Sequence, residues 1–339
     1  MTLRVLLVGC GEHSIENLIP SLAAINQIEI GAICDPNIEF LDRAHRWFPN
    51  ALKLNREVLT GADIADFDAV VVAAPPAVHE RMAQLSLEMS KPIFVEKPPT
   101  ITTAKLQQLS DLAEKNRIVT CVGHNLRHSD AAVHFRGAVD SLRFGRPVAM
   151  EMRYLASKPR GARWGLTSPL RSFLLSHANH AIDLMIYQMG ELQEVVAARA
   201  WPDVGGGIAI SAQFIFASGA VGTLLATSYA PHFMISATVV SDSGCVAEMN
   251  GLHQVHVYDS HELGKRWSNT WKPRTLEAGF RSAGYQTELE RFFIAVQNRT
   301  PESVHPSFKD EVAIYKAMDS IEDSIEGSPR NEQQVQSNA

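Results

Sequence analysis

The first third of the chain alternates short apolar runs with segments that have helical periodicity. The apolar runs are Leu3 to Val8, Ile28 to Cys34, Ala69 to Ala74 and Pro92 to Val95, and helices are predicted between them. Alternating strands and helices are typical of a parallel sheet, which binds its ligands at the carboxyl ends of its strands. We therefore expect the chemistry of this region in the turns that follow the strands.

The rest of the chain has a different pattern. After a helix predicted from about Ala131 to Arg143, apolar and polar residues alternate in several short runs, as in a sheet whose two faces differ. These runs are Pro147 to Leu155, Glu194 to Trp201, Ile208 to Ala217, Ala220 to Ser228, Ile235 to Ser241, Cys245 to Met249 and Gln254 to Tyr258. The change of pattern predicts two domains, residues 1–123 and 124–327, and a polar, disordered tail at 328–339.

The first apolar run ends in a glycine-rich turn, GCGEHS at 9–14, that precedes a helix-like segment. Strand, glycine turn and helix in this order match the dinucleotide-binding pattern G-x-G-x-x-G, with Ser14 in the place of the third glycine. Gly9 permits the tight turn, and Gly11 lets a diphosphate approach the backbone N–H groups. The turn therefore predicts a bound nicotinamide dinucleotide.

The second apolar run ends in Asp35, which lies 21 residues beyond Ser14. A carboxylate at this offset can accept hydrogen bonds from the adenosine ribose and repels the 2′-phosphate of NADP. The arginines that follow, Arg43 and Arg46, lie one helix further on. The pattern favours NAD and leaves NADP possible. The alternative is that Asp35 only caps the next helix.

Glu96-Lys97-Pro98 follows the fourth apolar run. A lysine at the carboxyl edge of a parallel sheet, beside a bound nicotinamide, is placed to act on a carbonyl or an alcohol. The alternative is a surface lysine that pairs with Glu96.

Several motifs, taken in order, resemble the Gfo/Idh/MocA oxidoreductase family. They are VVVAAPP at 70–76, His79, EKPP at 96–99, NLR at 125–127, FGRPV at 144–148, HAIDL at 180–184 and Gly190, and the resemblance runs from Leu3 to about Glu326. It implies an α/β chain with an N-terminal Rossmann domain, built on a doubly wound parallel sheet. The C-terminal domain would be α+β, with a large, mostly antiparallel sheet that pairs subunits into a homodimer or homotetramer. Family members mostly oxidise or reduce sugars, cyclitols and polyols.

The same resemblance assigns the catalytic roles to Lys97 and His180. The ammonium group of Lys97 would hydrogen-bond the reacting oxygen and stabilise its negative charge. An imidazole ordinarily titrates near neutral pH, so His180 would move the alcohol proton. Without the resemblance, a lone histidine in an apolar helix is more often a core residue.

The remaining candidate residues fall into two groups. The cofactor-binding candidates are Gly9, Gly11, Glu12, His13, Ser14, Asp35, Ala74, Pro75, Pro76, His79, Glu96 and Lys97. The substrate-binding candidates are Lys97, Asn125, Arg127, Trp164, Arg171, Ser176, His177 and Asp183. Trp164 and Arg171 belong to a basic loop, 156–171, which is either a lid for an anionic substrate group or a solvated surface loop.

Ser176 is a departure from the family. Relatives commonly have an aspartate four residues before the acid/base histidine, where this chain has Ser176. A serine cannot supply that carboxylate, and helical geometry predicts that His177 and Asn179 point away from it. The departure indicates either a different substrate or a reductase in which another acid donates the proton. The candidates are Tyr154, Tyr229 and Tyr285.

Composition excludes several classes of function. A net charge of −6 and a pI near 6.1 give no electrostatic footprint for nucleic acid. No apolar stretch approaches the ~20 residues of a membrane-spanning helix, and the first strand begins too early for a signal peptide to precede it. The four cysteines lack metal or disulfide spacing, so we expect no metal site and a reducing cytoplasm.

The sequence thus predicts an NAD(P)-dependent oxidoreductase that transfers hydride at a secondary alcohol or ketone of a sugar-like or polyol-like substrate. Two alternatives remain open at this point. The first is an enzyme that recycles NAD during elimination or glycoside cleavage. The second is a non-catalytic, nucleotide-sensing binding protein.

Overall fold

The computed structural model describes residues 2–201, 206–259, 267–272 and 279–327. The predicted tail, 328–339, lies outside these residues. The chain divides into two compact units, residues 1–129 with 276–312 and residues 130–275 with 313–339. Each unit has its own sheet.

The first unit contains a parallel sheet of six strands in the order β3-β2-β1-β4-β5-β6. Its strands are β1 (Leu3–Val8), β2 (Ile28–Cys34), β3 (Leu52–Leu54), β4 (Ala69–Val72), β5 (Ile93–Glu96) and β6 (Thr120–Gly123). The four longer apolar runs that were predicted as strands are confirmed. Strand β3, which the pattern did not predict, has only three residues and lies at the edge.

Helices connect and cover these strands. They are α1 (Ile19–Ala23), α2 (Ile38–His45), α3 (Gly61–Ile64), α4 (Pro76–Glu88) and α5 (Thr103–Asn116). The first of them follows a π-helical turn at Ser14–Leu18, and a 3-10 turn at Asn125–His128 follows β6. This arrangement confirms the doubly wound parallel sheet, with the glycine turn and Lys97 at the carboxyl ends of β1 and β5.

The second unit contains eight strands in the order β14-β13-β12-β11-β7-β10-β9-β8. They are β7 (Pro147–Leu155), β8 (Leu192–Trp201), β9 (Ala209–Phe216), β10 (Val221–Thr227), β11 (Met234–Ser241), β12 (Val246–Asn250), β13 (Gln254–Asp259) and β14 (Trp267–Trp271). Strands β7 and β10 pair in parallel, and the other pairs are antiparallel, which confirms the mostly antiparallel sheet. Strand β14 was not predicted.

One face of this second sheet packs on helices of its own unit. The helices that precede and follow β7 are α6 (Asp130–Val139), α7 (Pro169–Phe173) and α8 (Asn179–Met189), and a π-helical turn at Leu174–Ala178 joins the last two. Along β7, Met150, Met152 and Tyr154 are buried while Glu151 and Arg153 are exposed. The alternation therefore separates an inner face from an outer one, as the sequence predicted.

The C-terminal helices are α9 (Gly279–Ser282), α10 (Tyr285–Asn298) and α11 (Phe308–Glu326). The predicted boundary at 123/124 differs from the structure here, because residues 276–312 belong to the first unit. Helix α10 buries Leu289, Phe292 and Phe293, and the ring of Phe292 meets Phe94 of β5 edge-on at 6.1 Å. The sequence pattern identifies an amphipathic helix, but not the sheet on which its apolar face packs.

We predict that Phe292→Ala destabilises the protein by about 3–5 kcal/mol, because it removes a buried ring from the core of the first sheet. Urea unfolding of the full chain measures the loss. The matched control is Ile294→Ala on the same helix, where the side chain is 49% exposed. That change should stay within about 0.5 kcal/mol of the parent. Equal losses in both variants would contradict the assignment of α10 to the first core.

Candidate active site

The glycine turn after β1 has no space for side chains at its first position. Gly9 has a φ of +91°, and a Cβ there would lie 2.1 Å from the Ala73 carbonyl oxygen. At Gly11, in contrast, a Cβ would meet no described atom within 4 Å, so the backbone at this point borders open space. The Ser14 hydroxyl donates to the Gly9 carbonyl at 2.8 Å, which closes the turn. The turn thus leaves room for a diphosphate beside its N–H groups.

A cavity of about 380 Å³ lies at the carboxyl ends of β1, β2 and β4. Of the predicted cofactor residues, it is lined by Gly9, Gly11, Asp35, Ala74 and Pro75. Residues that the sequence did not indicate complete its walls, among them Phe40, Arg56, Val78 and Arg81. Largely apolar walls with a few polar groups suit an adenosine moiety, so the residues present fit a dinucleotide.

Asp35 is buried at the end of β2 and accepts two backbone hydrogen bonds. Its Oδ2 accepts from Cys10 N at 2.7 Å, and its Oδ1 accepts from Asn37 N at 2.8 Å. The side chain of Asn37, not Asp35, caps α2 by accepting from Glu39 N and Phe40 N. Each Asp35 oxygen has a second lone pair with which it can accept a ribose hydroxyl. That role stays a prediction.

Two side chains of the glycine turn point to different partners. Glu12 is exposed and pairs with Arg43 of α2. The imidazole of His13 lies with Nε2 3.3 Å from Oε1 of the buried Glu96, and its ring meets Tyr285 edge-on. Burial would raise the pKa of Glu96, but its contact with His13 and the nearby Lys97 hold it below its ordinary value. The carboxylate before Lys97 is therefore kept ionised.

His79 joins two loops of the first unit. Its Nε2 accepts from Ala74 N at 2.8 Å, so the ring proton is on Nδ1, which donates to the Pro98 carbonyl at 2.9 Å. Burial lowers the pKa of His79 to about 4, which keeps this tautomer neutral at pH 7. His79 thus does not line the cavity. It connects the turn after β4, which lines the cavity, to the loop that contains the half-buried Lys97.

The end of β6 and the residues after it have close partners within the first unit. A Cβ at Gly123 would lie 2.8 Å from the Glu96 carboxylate, so a side chain there would require that carboxylate to move. The Asn125 side-chain amide donates to the Ala283 carbonyl at 2.9 Å, and Arg127 is buried nearby in the chain. A substrate-binding role for Asn125 and Arg127 stays a prediction.

In the second unit, His180 lies in the first turn of α8 and is buried among aromatic rings. Tyr154 of β7 is parallel to His180, with ring centroids 6.3 Å apart, and meets His177 and Phe233 edge-on. Burial raises the pKa of the Tyr154 hydroxyl. We call Tyr154, His177, His180 and Phe233 the aromatic recess. The sequence raised Tyr154 as a candidate acid but could not place it beside His180.

The other two tyrosines lie elsewhere. The Tyr229 hydroxyl donates to the Gly207 carbonyl at 3.3 Å, and Tyr285 belongs to the first unit, where it contacts His13. Tyr154 is thus a candidate acid whose ring lies parallel to that of the predicted acid/base histidine.

Ser176 lies in the π-helical turn before α8. Its hydroxyl donates to the Ser172 carbonyl and therefore accepts from Nδ1 of His177, at 2.8 Å. The prediction that His177 points away from Ser176 was wrong, because a π-helical turn places successive side chains differently from an α-helix. Asp183 is fully buried one turn beyond His180.

The basic loop gives different outcomes for its two candidates. Arg171 donates to Asp319 at 2.7 Å and to Glu322 at 2.9 Å, both on α11. These contacts engage the guanidinium in ion pairs within the unit, which disfavours a substrate-binding role for Arg171. Trp164 is half-buried with a φ of +57°, and the Arg163 guanidinium lies 5.9 Å from its ring centroid. A role for Trp164 in substrate binding stays a prediction.

Two features of the described ranges bear on other classes of function. Within them, we find no group of three or more His, Cys, Asp and Glu side chains that could hold a metal ion. None of the helices in these ranges is both long enough and apolar enough to cross a membrane.

Family models match both parts of the chain. Residues 3–124 match the model described as oxidoreductase family, NAD-binding Rossmann fold, and residues 133–247 match the GFO/IDH/MocA C-terminal domain. A crystal structure of a dehydrogenase from Chromobacterium violaceum is 31% identical, with a TM-score of 0.92. The alignment covers 100% of this chain and 99% of that one.

Curated relatives are more distant. The chain is 27% identical over 160 residues to glycosyl hydrolase family 109 protein 1 of Shewanella sp., which is 45% of this chain and 35% of the relative. It is 25% identical over 201 residues to inositol 2-dehydrogenase 2 of Saccharopolyspora erythraea, which is 59% and 57% of the two chains. The matches thus span less than two thirds of the length of these relatives.

We predict that His79 makes stability depend on pH. Its pKa is lowered from 6.5 to about 4, so the unfolded chain takes up the proton first. The neutral His79 therefore contributes roughly 3 kcal/mol to the free energy of unfolding. This contribution is complete above pH 6.5 and is lost as the pH falls from there through about 4. His79→Asn should therefore be less stable than the parent at pH 7.5, and the gap should narrow at pH 4.5.

Urea unfolding at both pH values measures this gap. Every other buried histidine is present in both the parent and the variant. A change with pH in the difference between their free energies of unfolding is therefore due to His79. The exposed His232→Asn is the matched control and should follow the parent at both pH values. A gap that stays constant between pH 7.5 and 4.5 would contradict the prediction.

Proposed function

We propose that this chain, which belongs to the Gfo/Idh/MocA oxidoreductase family, is an NAD-dependent dehydrogenase or reductase of a sugar-like or polyol-like substrate. The observation that carries the proposal is the glycine turn, where Gly9 packs on the β4 backbone and Gly11 borders the open cavity. An inositol 2-dehydrogenase among the relatives supports a secondary alcohol or ketone as the reacting group.

The first unit supplies Lys97, the cationic group that acts on the reacting oxygen. A bound nicotinamide would exchange hydride with the carbon of the substrate. Lys97 hydrogen-bonds the oxygen on that carbon and stabilises the negative charge that develops there. Glu96, kept ionised by its neighbours, and the His79 contact to Pro98 fix the loop from which Lys97 projects.

The second unit supplies the proton transfer. His180 accepts the alcohol proton during oxidation and returns it during reduction. Tyr154, whose ring lies against His180, is the candidate for the second acid because Ser176 offers no carboxylate. A phenol with a raised pKa remains protonated at neutral pH, so it acts as a hydrogen-bond donor to the substrate or to the imidazole.

The NAD-recycling alternative rests on relatives of one kind, the glycosyl hydrolase family 109 proteins from Shewanella. Their description as glycosyl hydrolases favours cleavage of a glycoside in place of net oxidation. Each alignment reaches only 35% of the relative's length, so we rank this alternative second. The nucleotide-sensing alternative ranks third because Lys97 and His180 are both present. We also propose a reducing cytoplasmic location, which the four free cysteines support.

Lys97→Met and His180→Asn test the proposal. The purified chain is incubated with NAD and a panel of free sugars, cyclitols and polyols, and with NADH or NADPH and keto-sugars. Absorbance of the reduced nicotinamide measures turnover. Because each variant removes a group that acts in the transition state, we expect kcat to fall by about 10²–10⁴-fold while NADH still binds.

The matched controls are Lys115→Met and His232→Asn, which change exposed side chains of the same types. They should retain the activity of the parent. Cleavage of a glycoside without net NADH would favour the recycling alternative. Tight NADH binding without turnover on any substrate would favour the sensor.

We also propose that the outer face of the second sheet pairs two copies of the chain. This face exposes Val221 and Leu225 of β10 and Met234 and Val240 of β11. In register, Leu225 lies beside Arg153, and Val221 lies beside Ala149, both on β7 between the two strands. Apolar side chains gathered on one sheet face are typical of a surface that a partner covers.

We predict that Leu225→Glu yields a monomer, because it places a carboxylate in the centre of this face. The neighbouring Arg153 should allow the isolated subunit to fold. Light scattering after size-exclusion chromatography measures the mass. Leu142→Glu is the matched control, since Leu142 is fully exposed outside the sheet. A parent chain that is already monomeric would contradict the proposed pairing.

A further inference from the structure

An exposed ion pair bridges the glycine turn and α2. Arg43 Nη2 donates to Oε2 of Glu12 at 3.0 Å, and Nη1 donates to Oε1 in a second, shorter bond. The pairing is bidentate, which orients the planar guanidinium. It lowers the pKa of Glu12 and raises that of Arg43, so both groups are charged at neutral pH.

The two residues of the pair adjoin elements that line the dinucleotide cavity, although neither residue lines it. Arg43 is on α2, which contributes Phe40 to the wall, and its guanidinium is 5.9 Å from the Phe40 ring centroid. Glu12 follows Gly11, which also lines the cavity. Asp35, another wall residue, is the carboxylate expected to face the ribose hydroxyls.

Two arginines line the cavity, and each has a partner of its own. Arg56 donates to Asp63, and Arg81 donates to the Glu57 carbonyl at 2.6 Å. Arg43 differs from both because its partner comes from the turn that would hold the diphosphate. A change at residue 12 therefore removes the partner of Arg43 without altering the cavity walls.

We propose that Glu12 is a cofactor-selectivity residue, which engages Arg43 and so disfavours the 2′-phosphate of NADP. The inference rests on the proposed function in one respect, the binding of a nicotinamide dinucleotide in this cavity. An arginine near the ribose ordinarily receives the 2′-phosphate, in a bidentate contact like the one that Glu12 now occupies. Glu12 also adds a negative charge that repels the phosphate.

Glu12→Gln and Glu12→Ala test the proposal without a known substrate. Dissociation constants for NADH and NADPH are measured by nicotinamide fluorescence on the full chain at one fixed ionic strength. We expect the preference for NADH to shrink by about fivefold, mainly through tighter NADPH binding, because an exposed charge pair is screened by solvent and has only a modest effect. Both variants change an exposed side chain, so the fold should be retained.

Two further variants distinguish the direct Glu12–Arg43 contact from the general electrostatic effect of a nearby carboxylate. Glu16→Gln removes an exposed carboxylate one turn along the chain that interacts with Arg43 only through its charge. It should leave the NADH-to-NADPH ratio within twofold of the parent. Glu12→Gln combined with Arg43→Gln should lose the gain in NADPH affinity, because the released guanidinium carries it.

An unchanged ratio in both Glu12 variants would overturn the inference while leaving the proposed function intact. So would an equal effect of Glu16→Gln, or a gain that persists in the double variant. If the parent bound neither nucleotide, the proposed function itself would fail, and the two failures are thus distinguishable.

Discussion

The close approach of the turn after β1 to the end of β4 is the constraint on which the first unit depends. Val8 accepts from Ala73 N at 2.8 Å, and the Ala73 carbonyl oxygen occupies the space that a side chain at Gly9 would need. The next residue along, Ala74, donates to His79. Because His79 also holds Pro98, an unbroken series of contacts runs from the phosphate turn to the loop of Lys97. The cofactor cavity and the candidate catalytic lysine are therefore positioned by the same backbone.

Much of this arrangement could be predicted because it depends on local sequence. Apolar runs followed by Gly9, Asp35, Pro75 and Lys97 put those residues at strand ends whatever the rest of the chain does. Contacts between distant residues could not be predicted in this way. Arg171 meets two carboxylates about 150 positions later in the chain, and nothing in the loop that contains it indicates such partners. The segment 276–312 likewise gives no sign of the sheet that it covers.

The second unit shows how a local irregularity changes a prediction. Regular helical spacing separates Ser176 from His177, but the π-helical turn brings their side chains into contact. Ser176 then has a hydrogen-bonding role within the turn, not the electrostatic role of a carboxylate. Since Ser176 supplies no carboxylate at that position, we propose the neutral Tyr154 hydroxyl as the second acid. A neutral donor discriminates substrates by geometry more than by charge.

We propose different roles for two buried histidines of this chain, His79 and His180. A positioning residue such as His79 must keep one tautomer, because its two ring nitrogens face a donor and an acceptor. Protonation would put a second proton against the Ala74 N–H, and the lowered pKa of about 4 prevents this at physiological pH. A residue that moves a proton must instead change its state during each reaction cycle. We propose His180 as such a residue, and its ring lies parallel to that of Tyr154, with centroids 6.3 Å apart.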